Sequence, residues 1–145
     1  MIVAYIDGGA RGNPGPAGYG VRIEGSDGAV VGELHGGIGI ATNNVAEYNG
    51  LLAALQWAVD NSQRRVQIRA DSELLVKQMR GEYKVKNAGL QPLYLRARVL
   101  VMQLEQVVFE HVRRELNKEA DRLSNLGMDE AERELGFRLQ PKPEA

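Results

Sequence analysis

The chain opens on Met1–Ile6 (MIVAYI), an apolar, partly β-branched run that reads as a strand, and Asp7 closes it. A glycine-rich turn, Gly8-Gly9-Ala10-Arg11-Gly12-Asn13-Pro14-Gly15-Pro16-Ala17-Gly18, is expected directly after the acid. A backbone with so few side chains approaches a ligand closely, and here it does so beside a carboxylate. Glycine loops that hold anions usually carry lysine, so an acid in this place points to a metal between protein and phosphate. Asp7 equally fits a turn residue that ends a strand, because Asp before Gly is common there.

The 145 residues are most simply one domain, residues 1–134, with 135–145 as a tail marked by Pro141, Pro143 and charges. Apolar runs are too short to span a bilayer, which excludes a membrane protein, and no charged-then-apolar signal segment opens the chain. The sequence contains no cysteine, which excludes disulfides, thiolate catalysis and thiolate metal sites and fits a cytoplasmic location. A metal site would therefore be built from carboxylates, histidine or both, and only two histidines are present, His35 and His111. That scarcity favours Mg²⁺ or Mn²⁺ over Zn²⁺. A formal net charge of −1 gives no overall attraction to nucleic acid, and any such binding would rest on local patches.

Gly18–Glu24 alternates as a strand, Gly25-Ser26-Asp27-Gly28 is a turn, and Ala29–Gly36 is the returning strand. Thr42-Asn43-Asn44 starts a helix over Val45–Asn61, with Val45, Tyr48, Leu51, Leu52, Leu55 and Val59 on its apolar face. Arg65–Ala70 is a strand, Asp71-Ser72 opens a helix to about Arg80, and Gly81–Gly89 is a basic loop with one aromatic residue. Gln91–Glu105 is a helix, Gln106–Val112 a fifth strand, and Asn117 to about Glu134 a last helix. Three antiparallel strands followed by alternating helices and strands define an α/β layer fold with a mixed sheet.

Four acids stand out, each with an ordinary explanation beside the chemical one. Glu47 completes a capping box if Asn44 is the N-cap, yet it borders the buried face marked by Leu51 and Ala58, where a charge needs a partner. Asp71 fits an N-cap. Asp121 shares a helix face with Ser124 and Asn125 and fits a solvated surface. Their arrangement says more. Asp7 and Asp71 both end strands, at the edge where α/β sheets bind ligands. On neighbouring parallel strands they would lie near one strand spacing apart, about 4.8 Å, which suits a shared divalent ion.

Asp7-Gly8-Gly9, Gly12 to Gly20 (GNPGPAGYG), Thr42-Asn43-Asn44-Val45-Ala46-Glu47, Asp71-Ser72 and Ala120-Asp121 together resemble the type 1 ribonuclease H family, in its order and with its intervals. The match runs from about residue 2 to residue 128. The resemblance implies the RNase H-like fold: a five-stranded mixed sheet, antiparallel in its first three strands and then parallel, flanked by helices. It implies a single-chain endonuclease that cuts the RNA strand of RNA–DNA hybrids with Mg²⁺ or Mn²⁺, leaving 5′-phosphate and 3′-hydroxyl ends; duplex RNA is a further possible substrate. By resemblance Asp7 bridges two ions, Asp121 holds the ion carrying the attacking water, and Glu47 and Asp71 hold the ion near the leaving group. Two ions about 3.5–4 Å apart suit an in-line displacement at a phosphodiester.

The resemblance also assigns substrate contacts. The backbone of Gly8, Gly9 and Gly12, the Asn44 amide and Glu47 read the RNA 2′-hydroxyl across a minor groove. Asn13 and Thr42 hold a DNA phosphate, and Tyr83, Lys84 and Lys86 line the channel of the DNA strand. The chain departs from the family in three places. Its basic segment between the second and third helices is short, which implies weaker hybrid binding. Arg113-Arg114-Glu115-Leu116 stands where many members carry a mobile histidine, leaving Glu115 as the nearest group for proton or product handling, with His111 read as structural. Glu73 follows Asp71-Ser72, where it either adds negative charge to the site or favours the helix N-terminus.

Overall fold

A computed structural model describes residues 1–139, and the side chains to Gly136. Ten elements follow one another. They are β1 (Ile2–Ala10), β2 (Gly15–Glu24), β3 (Val30–Ala41), α1 (Asn43–Asp60), β4 (Arg65–Ala70), α2 (Glu73–Met79), α3 (Gln91–Met102), β5 (Gln106–His111), a 3₁₀ turn (Arg114–Leu116) and α4 (Lys118–Leu139). One sheet holds all five strands in the order β3-β2-β1-β4-β5. β1–β2 and β2–β3 are antiparallel, whereas β1–β4 and β4–β5 are parallel. This is the mixed α/β architecture expected from the sequence.

Alternation sorts the strand residues between two faces. Ile2, Ala4 and Ile6 of β1, Val21 and Ile23 of β2, and Val66, Ile68 and Ala70 of β4 are buried in one core with Leu51, Leu55 and Ala58 of α1. α3 packs behind α1 through Ala97, and α4 crosses the opposite face over β1, β2 and β3. The helices begin where polar caps allow. Thr42 Oγ1 accepts from Val45 N at 3.3 Å, and Ser72 Oγ accepts from Leu75 N at 3.2 Å.

Boundaries differ from the sequence reading in an informative way. The glycine-rich stretch after Asp7 is not all turn: β1 runs on to Ala10 and β2 begins at Gly15, with Gly8 opposite Tyr19, Gly9 opposite Gly18 and Ala10 opposite Ala17. Only residues 11–14 turn, closed by Arg11 N donating to Pro16 O at 2.9 Å, and Gly12 takes φ +81°, a left-handed conformation. β3 is longer than the expected Ala29–Gly36 and reaches Ala41. Glycine hides strand alternation because it supplies no side chain to alternate.

The N-cap of α1 is Thr42 rather than Asn44, so Glu47 completes no capping box. The N-cap of α2 is Ser72, so Asp71 is not spent on capping. α4 continues beyond Glu134 to Leu139, which shortens the expected tail, while Pro141 and Pro143 lie outside the described residues. No helix among the described residues is long and apolar enough to cross a membrane.

Candidate active site

The sheet register itself assembles the acids. Ile6 of β1 pairs with Ala70 of β4, so the next residues, Asp7 and Asp71, emerge side by side at the carboxyl edge of two parallel strands. Glu47 reaches the same edge from the second turn of α1, and Asp121 from the first turn of α4. All four line one open cleft of about 300 Å³ with Gly8, Gly9, Asn43 and Arg114.

Glu47 gets there because α1 lies against β1 at Gly8. A Cβ on Gly8 would sit 2.3 Å from the Ala46 carbonyl carbon and 2.5 Å from Glu47 N, so only glycine lets the helix approach this closely. The bare α-carbon of Gly8 meets α1, and Gly8 also lines the cleft. Across the sheet, a Cβ on Gly20 would lie 2.3 Å from Ser124 N, and this contact seats the first turns of α4 beside Asp7. Gly9 lines the cleft, and a Cβ there would lie 3.3 Å from the flexible end of the Met128 side chain.

The electrostatics are those of four acids held together with Arg114 as a cation beside them. Burial pushes the Asp7 carboxyl up to about 8, with repulsion from Asp71 and Asp121 adding to it and the Gly8 amide opposing it. That amide donates to Asp7 Oδ1 at 2.9 Å. Burial likewise raises Glu47 to about 7; the Ser72 hydroxyl lowers it and the Asp71 charge raises it further. Asp71 is raised mainly by burial, while hydrogen bonding from Asn117 and the positive charge of Arg114 draw it back. Groups shifted this way by burial and mutual repulsion, in a cleft, mark a functional site.

Supporting residues hold the acids in place. Asn117, 1% exposed, donates from Nδ2 to Ile6 O at 2.9 Å, which ties the start of α4 to the strand that carries Asp7. Ser124 Oγ donates to the Asp121 carbonyl at 2.8 Å and stands 3.5 Å from Asp7 Oδ2. His111 was expected to be structural. It ends β5, exposed, with Nε2 3.3 Å from the Asp71 carbonyl oxygen, and it borders a second opening shared with Glu47, Asp71, Arg114 and Glu115. Glu115 lines that opening with Glu47 and Asp71.

The remaining expected contacts form two groups. Asn13 Oδ1 accepts from Asn43 N at 3.0 Å, and Asn43 Oδ1 accepts from Ala10 N at 2.7 Å. This ties the Gly12–Asn13 hairpin to the start of α1, beside exposed Thr42 and Asn44. Tyr83, Lys84 and Lys86 lie apart, on the exposed loop after α2, where Lys77 Nζ sits 4.9 Å from the Tyr83 ring. Glu73 forms an ion pair with Lys77 at 2.7 Å in the first turn of α2, so it serves the helix rather than the cleft. Asn43, Arg114, Asn117 and Ser124 escaped the sequence reading. For Asn117 a signal was present, since it stands four residues before Asp121 at a helix start.

Among the described residues no group of three or more His, Asp or Glu side chains forms a ready-made ion cage. The donor set still fits hard divalent cations. It is all carboxylate oxygen, and two of its members are desolvated acids whose repulsion a cation would relieve.

Mixed sheet, crossover order and an acidic carboxyl edge define a ribonuclease H-like fold. A model of the reverse transcriptase-like family matches residues 5–127. A bifunctional protein of Mycobacterium tuberculosis H37Rv is 47% identical over 131 residues, which are 90% of this chain and 36% of that protein. Its N-terminal RNase H domain superposes with a TM-score of 0.88 at 45% identity, covering 92% of this chain and 97% of that one. Ribonuclease HI of Halobacterium salinarum is 41% identical over 130 residues, 90% of this chain and 65% of that protein. LC11-RNase H1, solved with an RNA/DNA hybrid, superposes with a TM-score of 0.85 at 43% identity, covering 90% of this chain and 99% of that one. The chain belongs to the type 1 ribonuclease H branch of the reverse transcriptase-like family. It spans only part of the curated relatives named, about a third of the mycobacterial protein and two thirds of the halobacterial one.

Proposed function

We propose that this chain is an endonuclease that hydrolyses the RNA strand of RNA–DNA hybrids, leaving 5′-phosphate and 3′-hydroxyl ends. The observation that carries this reading is the convergence of Asp7, Glu47, Asp71 and Asp121 on one cleft, with Asp7 and Glu47 desolvated and repelled by Asp71. Asp7, Glu47, Asp71 and Asp121 would hold divalent ions, Mg²⁺ or Mn²⁺, two of them with substrate bound. Those ions would supply Lewis acidity and positive charge to the phosphodiester.

The chain's own residues do the positioning. The Gly8 amide orients Asp7, and Asn117 locks the strand that carries it to α4. Gly8, Gly9, Gly12, Asn44 and Glu47 face the RNA minor groove, where the 2′-hydroxyl distinguishes RNA from DNA. Asn13 Oδ1 accepts from the Asn43 amide, so Asn13 keeps its side-chain N–H groups for a DNA phosphate, which the exposed Thr42 beside it would share. Tyr83, Lys84 and Lys86 follow the DNA strand, and Glu115 handles the proton or the product beside Glu47 and Asp71. The chain acts as a monomer in the cytoplasm.

Cleavage of an end-labelled RNA–DNA hybrid, beside duplex RNA and duplex DNA, with Mg²⁺ or Mn²⁺ tests this directly. Cutting of the hybrid's RNA strand that EDTA abolishes is expected. Binding with no metal-dependent cleavage in either ion would instead make the chain a hybrid-binding module. A salt titration gives a second expected result. With few basic residues in the Gly81–Gly89 loop, few phosphates are neutralised. The plot of log Kd against log salt therefore has a shallow slope, about 0.9 per phosphate contacted. A slope above about 5 would show an interface more basic than this one.

A further inference from the structure

The hairpin that carries Gly12 and Asn13 is held to α4 by the side chain of Arg11. Arg11 Nη1 lies 2.6 Å from Asp129 Oδ1 and 3.0 Å from Glu132 Oε2. Its Nη2 donates to the Asn125 carbonyl at 3.3 Å and approaches Asn125 Oδ1 at 3.4 Å. Asn125 Nδ2 in turn donates to the Asp121 carbonyl at 3.0 Å. A planar guanidinium thus spans two carboxylates and an amide on α4, and these lead to the turn that bears the fourth acid. Such a fork fixes direction as well as distance, which an ammonium does not.

We infer that Arg11 is a positioning residue for the hybrid. It clamps the Gly12–Asn13 hairpin to α4, and so fixes the distance between the DNA-strand contact at Asn13 and the acids at the cleft. This rests on the function proposed above. Without the clamp the hairpin keeps its link to Asn43 and its closing Arg11 N to Pro16 O bond but loses its only side-chain tie to α4 among the hydrogen bonds and ion pairs of the described residues. Two anchors over-determine the hairpin and one leaves it swinging. An arginine at this position is open to another role, direct contact with a phosphate, and the acids of the clamp separate the two. A clamp needs Asp129 and Glu132. A phosphate contact is weakened by them, since both neutralise the guanidinium.

Three variants decide between these roles: Arg11→Ala, Arg11→Lys and Asp129→Asn/Glu132→Gln. Each is compared with the parent by steady-state cleavage of an RNA–DNA hybrid with Mg²⁺, by hybrid affinity in an Asp7→Asn background, and by amide hydrogen exchange at Gly12, Asn13 and Asn43. For a clamp, Arg11→Ala and the double acid variant both raise KM about five- to tenfold and leave kcat within twofold. Both speed exchange in the hairpin, and their combination is no worse than either alone. Arg11→Lys recovers only part of the loss. If the acid variant lowers KM while Arg11→Ala raises it, Arg11 is a phosphate ligand and the clamp is overturned. Unchanged KM with a lowered melting temperature in Arg11→Ala reduces it to a stabilising contact and also overturns the inference. If the parent neither binds nor cuts the hybrid, the functional reading fails, and the exchange data still report whether the clamp holds the hairpin.

Discussion

Replacing Asp7 by asparagine is expected to abolish cleavage and, without metal, to make the protein more stable. The activity loss should reach at least about a thousandfold, roughly 4 kcal/mol of barrier, measured as kcat on a labelled hybrid. Stability moves the other way because of where the charge sits. Asp7 is 9% exposed and pushed up to about 8, mainly by burial and then by Asp71. An acid whose folded pKa is raised stabilises the fold fully below its ordinary pKa near 4, and that contribution is lost as pH rises to about 8. Glu47, raised to about 7 by burial, behaves the same way over a narrower window.

Metal-free wild type should therefore lose a few kcal/mol of stability between about pH 4 and pH 8, at ~1.4 kcal/mol for each tenfold change in proton affinity. Asparagine keeps the acceptor for the Gly8 amide and carries no charge. Asp7→Asn should consequently be about 1–3 kcal/mol more stable than wild type at pH 8 in EDTA, a rise in melting temperature of several degrees. Adding Mg²⁺ should raise the melting temperature of wild type and leave the variant almost unmoved. Thermal melts at pH 5 and pH 8, with EDTA and with Mg²⁺, provide the check. A variant less stable than wild type at pH 8 without metal would show that Asp7 is held by favourable contacts rather than strained by its neighbours.

The second large effect belongs to a residue with no side chain. Gly8→Ala places a methyl group 2.3 Å from the carbonyl carbon of Ala46, against backbone that has nowhere to turn. α1 must move outward by about an ångström, and Glu47 moves with it. Overpacking a rigid contact costs about 1–3 kcal/mol and here falls at or above the upper end, a fall of some 6–12 °C in melting temperature. Displacing a reacting group by an ångström costs on the order of a hundredfold in rate. Gly9→Ala serves as the comparison, because its methyl presses on no backbone: it meets the flexible end of Met128 and, at ordinary contact distance, Asn43 Oδ1. It should cost under about 1 kcal/mol. Equal destabilisation by the two would remove the special place given to the α1 contact. Urea titration and hybrid cleavage of both variants measure the difference.

These two residues also show what was legible in the chain. Asp7 could be found because it follows an apolar run and is succeeded by glycine, and Asp71 because it follows a second such run. Parallel pairing of β1 and β4 places them together. The caps misled in detail, since Asn44 and Asp71 are competent cap residues that the structure passes over for Thr42 and Ser72. Capping is decided by which residue the incoming chain leaves in extended conformation, and that depends on where β3 and β4 release it. His111 looks structural from its place at the end of a strand, and that edge position sets its ring 3.3 Å from the Asp71 carbonyl oxygen. Arg114 and Ser124 stand beside sequence features of the site, but their place against Asp71 and Asp7 comes from elements that meet only in three dimensions.

The sequence by itself determined the element order, the mixed sheet and the four acids, since alternation, helical periodicity and residue type are local properties. Tertiary structure decided how those acids behave and why the glycines are there. Burial and closeness to Asp71 turned Asp7 from an ordinary strand-ending acid into one raised to about 8. The glycine stretch proved to be paired strand whose missing side chains admit α1 at Gly8 and α4 at Gly20. Both outcomes share a physical reason. A carboxyl group's solvation and a glycine's clearance are set by atoms from distant parts of the chain, and only the folded molecule brings them close.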